Sequence, residues 1–366
     1  MESDVTQPEN QSPGEPASLA RYKATRERIV MMSRALGWNQ DTLNQALVLS
    51  GHIPTRTQWQ ISCSRFLLIV GCALMLAGVA SFFAFNWADL HRFAKFGLIE
   101  TGILGGIVAA WRLGITTLPG KVFLFTSAFL VGTFLVVFGQ TYQTGADPYG
   151  LFMAWSILIL PWVLIGRQSA LWMLLAVLVN LTVILYWTEI FRPPLGEFSK
   201  IFGPLIWLAL CVTDLYLAIV LTLLNGIFLT VWEYLSGKDS KRPWMKVRWL
   251  PRVTATGILA VITAASLTII FGSLEYNRPN PHEAIVLLIF ALALASMVFY
   301  YQSKAIDLFI LAECALSMIL LITSAIARFG PLSIDFALFL SLLVIVETSL
   351  AAIWLHNISR KQESGQ

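Results

Sequence analysis

Ten long apolar stretches, at roughly 66–85, 93–111, 121–139, 150–166, 169–188, 204–234, 252–272, 284–301, 305–327 and 333–355, leave this chain one kind of solvent. Each is long enough to cross a hydrocarbon layer about 30 Å thick as a helix rising about 1.5 Å per residue. Lipid offers no partner to an open strand edge, so the expected fold is all-α, a polytopic transmembrane helix bundle of about ten spans. Composition agrees: 57% of the 366 residues are hydrophobic and 13% charged, where a water-soluble domain carries about a quarter charged.

The loops set the expected orientation. With the N-terminus inside, nineteen of the 25 Lys and Arg fall in inner segments. Six fall outside, at Arg92, Lys95, Arg192, Lys200, Arg278 and Arg328. This bias predicts both termini in the cytoplasm. Splitting 204–234 into two spans would place the most basic loop, Lys238 to Arg252, outside, so one long helix is expected there. A half-span with a re-entrant piece preserves the same parity. Trp87, Trp111, Trp187, Trp232 and Trp354 stand at span ends, where an amphipathic ring suits the headgroup region.

The expected divisions are a disordered tail (1–18), a basic cytoplasmic helical segment (19–64), two five-span membrane regions (65–188 and 189–356) and a cytoplasmic tail (357–366). Pro8, Pro13, Gly14 and Pro16 among polar residues cannot bury enough apolar area to offset their ordering entropy. The first 60 residues lack the short apolar core of a cleavable leader, so Arg65 to Phe85 reads as a retained span. Arg21, Lys23, Arg26, Arg28 and Arg34 either favour an anionic inner leaflet or are ordinary flanking charge.

Phe85-Asn86-Trp87-Ala88-Asp89-Leu90, and Gly139-Gln140-Thr141-Tyr142-Gln143-Thr144-Gly145-Ala146-Asp147-Pro148 followed by Trp155 and Pro161, resemble the bacterial membrane proteins of the domain of unknown function 2157 family. The resemblance covers about Leu43 to Trp187. It implies a multi-helix inner-membrane protein with a cytoplasmic N-terminal segment, and it implies no established reaction.

Two groups of residues are candidates for chemistry. Gln140, Tyr142, Gln143 and Asp147 bring donors and acceptors to the expected outer end of a helical hairpin, as a vestibule or partner site. The alternative is a structured turn in which Gly145 supplies an unusual backbone angle and Asp147 caps the next helix. Four carboxylates, Glu100, Asp214, Glu313 and Glu347, fall inside spans, where a charge costs at least a few kcal/mol. Glu313 and Glu347 lie on helices of opposite direction, each about 4.5 Å to the cytoplasmic side of the midplane, and are expected to be level. Facing each other they would share one proton. Asp214 shares a stripe with Ala218 and Asn225. The contrasting reading is that each acid is neutral and hydrogen-bonded to a neighbouring helix for assembly.

Gly102 and Gly106 form a small-xxx-small pair, a helix contact within the bundle or between copies in a homo-oligomer. The small charge imbalance, +4, gives no reason to expect nucleic acid. Cys63, Cys72, Cys211 and Cys314 lack disulfide or zinc spacing, the four histidines lack metal spacing, and no cofactor or nucleophile motif is present. Two functions remain: a transporter-like protein with a proton or cation relay through the four acids, or a scaffold or sensor binding lipids or a protein partner through its N-terminal segment and outer loop.

Overall fold

The computed structural model describes residues 26–85, 91–143, 145, 147–191, 214–238, 242–272, 281–331 and 333–364. The expected tail 1–18, the start of the basic segment (19–25), the Asn86 to Leu90 motif with Trp87, and 204–213 lie outside the described residues. Every regular element among the described residues is helical. In chain order they are α1 (Arg26–Leu36), α2 (Gln40–Leu49), α3 (Arg56–Phe85), α4 (Arg92–Leu113), α5 (Leu118–Tyr142), α6 (Pro148–Leu158) and α7 (Leu160–Gly166). They continue as α8 (Ser169–Phe191), α9 (Leu215–Lys238), α10 (Trp249–Gly272), α11 (Pro281–Ser303), α12 (Leu308–Phe329) and α13 (Ile334–Ser364). Among the described residues, nine segments from Arg92 onward are long and apolar enough to cross a membrane, with Pro148–Gly166 as one of them. The tenth expected span, 66–85, lies within α3.

Local chemistry sets the helix ends. Thr55 and Gln58 cap α3 reciprocally: the Thr55 N–H donates to Gln58 Oε1 and the Gln58 N–H to Thr55 Oγ1. Thr117 caps α5, whose second residue is Pro119, and Pro148 opens α6. Pro161 lacks an N–H and interrupts the hydrogen-bond ladder, which is why α6 and α7 are separate pieces around Ile159.

Two expectations are corrected. Asp214 does not lie inside a span: it stands at the start of α9, where its carboxylate accepts the N–H groups of Tyr216 and Leu217. The last helix does not stop at 355 but continues to Ser364, with its apolar span reaching Arg360.

The chain divides into two compact units, Met1–Gly71 with Lys361–Gln366, and Cys72–Arg360. In the first, α1 packs on α2, and Ile29 and Leu47 are buried. In the second, α4 and α5 form a tight hairpin and α6 packs on α8, while α9, α11 and α12 surround α10. α10 is half buried along its apolar stretch and is the hub, whereas α13 is exposed over most of its length and reaches the core near its end, at Ile358.

Lipid chains are as apolar as leucine, so helices here are held by close fit and polar bonds rather than by expulsion of water. Gly106 is such a fit: a Cβ there would collide with Ser127 of α5, whose hydroxyl donates to the carbonyls of Ile103 or Phe123. The Gly102/Gly106 face is thereby occupied within the chain. A Cβ at Gly132 would land on the Trp155 indole, whose N–H donates to Ala128 O at 2.9 Å. Between α8 and α9 the Asn180 and Asn225 amides bond each other in both directions, at 3.0 and 2.7 Å.

Candidate functional site

The most strongly charged interior of the molecule sits where α9 ends and α10, α11 and α12 meet. Glu233, on the last turns of α9, is 5% exposed, although it lies between Trp232 and Tyr234 in an otherwise apolar helix. Its Oε1 accepts from Arg248 Nη1 at 3.0 Å and from the Tyr301 hydroxyl at 2.9 Å. Asp307 has its side chain almost wholly buried. It caps α12 through the Phe309 N–H and accepts from Arg248 Nε at 3.2 Å and Arg252 Nε at 3.1 Å. Arg248 lies beside the Tyr301 ring and Arg252 beside that of Phe309. Two cations meet two anions, so the cluster is neutral and ties four helices together. Burial opposes the Arg248 charge, but Glu233 and then Asp307 outweigh it and hold the guanidinium above its ordinary range. Arg248 is therefore a permanent cation.

From this cluster a polar file runs along α10. Arg248, Arg252 and Thr256 recur every four residues and so share one helical face, spanning about 12 Å. At its end the Thr256 hydroxyl lies 2.6 Å from Glu313 Oε1 and 2.9 Å from the Arg252 carbonyl. Thr256 is exposed and Glu313 half-buried, yet Glu313 Oε2 is buried with no hydrogen-bond partner. A hydroxyl has one proton and these two acceptors compete for it. If it points to Glu313, the acid is a carboxylate; if it points to Arg252 O, a protonated Glu313 donates to Thr256. Both proton placements fit the same heavy atoms.

The other expected site residues scatter. Glu347 accepts from the Thr323 hydroxyl at 2.8 Å, and Thr323 lies ten residues beyond Glu313 on α12. That is about 15 Å along the axis, so Glu313 and Glu347 are neither level nor facing. The depth match had placed the end of the last span at 355, and the extra turns of α13 shift its register. Glu100 is exposed on α4, away from the interior where an acid was expected. Asp214 accepts the Trp187 indole N–H at 3.1 Å and caps α9, and Asn225 is engaged by Asn180, so the expected Asp214–Asn225 seam does not form.

At the opposite end of the bundle Gln140 and Tyr142 lie on the last turn of α5 and Gln143 follows it in a left-handed cap. Gln143 and Gly145 both take positive φ, 45° and 58°. Gln140 is exposed, and the Tyr142 ring stacks on Phe96 and touches Phe138. Asp147 occupies the cap position of α6 without making the cap bond. Its carboxylate lies near the side chains of Tyr149 and Glu189. Residues 44–172 match the family described as Predicted membrane protein (DUF2157). No curated protein and no solved structure matches the chain.

The DUF2157 match takes in α4 to α7 and ends inside α8, short of the expected Trp187. Gln140, Tyr142, Gln143 and Asp147 lie within it; Glu233, Arg248, Asp307 and Glu313 lie beyond it. Sequence reasoning missed the ionic cluster by treating Arg248 and Arg252 as loop charge. The signals were present: an arginine pair four residues apart, and Glu233 within an apolar run. Glu189, beside the boundary tryptophan Trp187, was missed for the same reason.

Proposed function

We propose that this integral membrane protein is transporter-like and relays a proton or small cation through Glu313. The observation that carries the reading is the Thr256–Glu313 pair, with one oxygen shared by a hydroxyl that has two acceptors and the other oxygen buried without a partner. Such an acid gains and loses a proton without moving a side chain. The Glu233–Arg248–Arg252–Asp307 cluster, two cations with two anions, marks its route from the basic end of the bundle. In this reading Glu347 is a second station reached past Ser317. The positive-inside bias supports a bacterial inner-membrane location with both termini cytoplasmic.

The test is proton flux in liposomes carrying an internal pH dye. Glu313→Gln is expected to abolish flux driven by a pH gradient and Thr256→Val to reduce it about tenfold, with both variants eluting as folded protein. Flux unchanged by Glu313→Gln removes the relay.

The scaffold or sensor reading draws on one observation of its own. The α13 span is exposed along most of its length and presents Leu338, Leu342, Ile345 and Leu350, an apolar face suited to a membrane partner or a second copy. Deleting Met1 to Gln60 separates the readings: a scaffold loses its co-purifying partners, and a carrier retains its transport core.

A further inference from the structure

At the end of the bundle away from Arg248, a cavity of about 540 Å³ opens between α6, α8 and α9. Its walls include Tyr149 and Met153 from α6, Val183, Tyr186 and Trp187 from α8, and Val220 from α9. They are apolar and aromatic: Tyr149 and Tyr186 meet edge to face at 5.2 Å, which turns the ring of one across the other. Thr182 also lines it, but its hydroxyl is bonded to Leu178 O. The size is that of a small-molecule site.

None of these wall residues is charged, but the acids Asp147, Glu189 and Asp214 stand beside the wall. Asp147, which forgoes its helix cap, and Glu189 are both exposed and lie near the wall residue Tyr149. A third, Asp214, holds the Trp187 indole by its N–H and fixes that ring in the wall. Aromatic faces attract cations, most strongly where water is scarce. An apolar body suits the walls, and a positive charge suits the rings and the acids. Anions meet carboxylates, and strongly hydrated inorganic cations meet a wall with nothing to coordinate them.

We propose that this cavity binds a lipophilic organic cation, a quaternary ammonium or phosphonium with an apolar body, with Tyr149, Tyr186 and Trp187 around its charge and Asp147 and Glu189 setting its sign. The site is separate from the Glu313 file and does not depend on the relay.

Tetraphenylphosphonium and tetraphenylborate test it, because they share size and shape and differ in sign. Each is measured by equilibrium dialysis against full-length protein in lipid nanodiscs, with empty nanodiscs subtracted. The expected result is saturable binding of the phosphonium, at least about tenfold tighter than the borate. The D147N/E189Q variant, whose substituted side chains are exposed, should remain folded and lose that preference. Tyr186→Ala should weaken phosphonium binding about tenfold, and Glu313→Gln should leave it unchanged. No saturable phosphonium binding, equal binding of the two ions, or a preference that survives D147N/E189Q overturns the proposal.

Discussion

The two halves of the membrane unit hold together by different means. From α4 to α8 the helices fit by shape: Gly106 admits Ser127, Gly132 admits the Trp155 ring, and the buried polar bonds are single hydroxyl or indole donors to carbonyls. From α9 to α12 the same task falls to charges, with Glu233, Arg248, Arg252 and Asp307 joining four helix ends. Shape tolerates lipid on every side, whereas a buried ion needs its partner. The first half therefore gives way through overpacking and the second through loss of one charge.

The largest expected effect is in the charged half. Arg248→Met leaves Glu233 and Asp307 buried beside one screened partner, since the Arg252 side chain is 43% exposed. Removing one member of a buried pair costs about 3–5 kcal/mol. Denaturant titration of the purified protein in detergent measures it. The double change Arg248→Met with Glu233→Leu should recover more than half of the loss, because a neutral apolar pair needs no compensation. If the double variant is no more stable than the single one, the charged half is not held by that pair.

In the shape-fitted half, Gly132→Ala should cost about 1–3 kcal/mol by pushing the Trp155 ring off α5. Trp155→Phe keeps most of the ring and loses the bond to Ala128 O, worth about 1 kcal/mol. The same titration reads both. If Gly132→Ala exceeds Arg248→Met, the contrast between the halves is reversed. At their junction, Asn225→Leu breaks the two-way amide bond to Asn180 and should cost about 1 kcal/mol, the usual size for such bonds between membrane helices.

Much of this architecture is legible in the sequence because lipid imposes it. Span number and helical class follow from apolar length, and nine of the ten expected spans correspond to apolar helices among the described residues. What hydropathy does not carry is rotation and register. Gly106 could be read as a contact residue, but not that its partner is Ser127. Glu313 and Glu347 were placed at matching depth by counting from span ends, and a helix that runs nine residues past 355 undoes that count. Arg248 and Arg252 count equally as loop charge or as buried charge, because positive-inside bookkeeping is blind to which way a side chain turns. Asp147 shows the reverse case. The Asp-Pro pair predicts a cap, yet Asp147 makes no cap bond and its carboxylate lies near Tyr149 and Glu189.

Glu313 sharpens the comparison from the other side, since it is charged-half chemistry with almost no structural duty. Glu313→Gln keeps a carbonyl oxygen for the Thr256 hydroxyl and offers an amide where Oε2 now lacks a partner, so stability should change by less than about 0.5 kcal/mol. Its reactivity should change completely. A protonated carboxyl in an apolar setting reacts with dicyclohexylcarbodiimide, whereas an exposed carboxylate such as Asp335 in the first turn of α13 hydrolyses its adduct or does not form one. Intact-mass and peptide mapping should find the adduct at Glu313, lost in Glu313→Gln and enhanced in Thr256→Val, where the hydroxyl that stabilises the carboxylate is gone. An adduct spread evenly over Glu100, Glu347 and Glu313 would mean that the buried, unpartnered oxygen confers nothing special, and the relay would lose its physical basis while the ionic cluster kept its structural one.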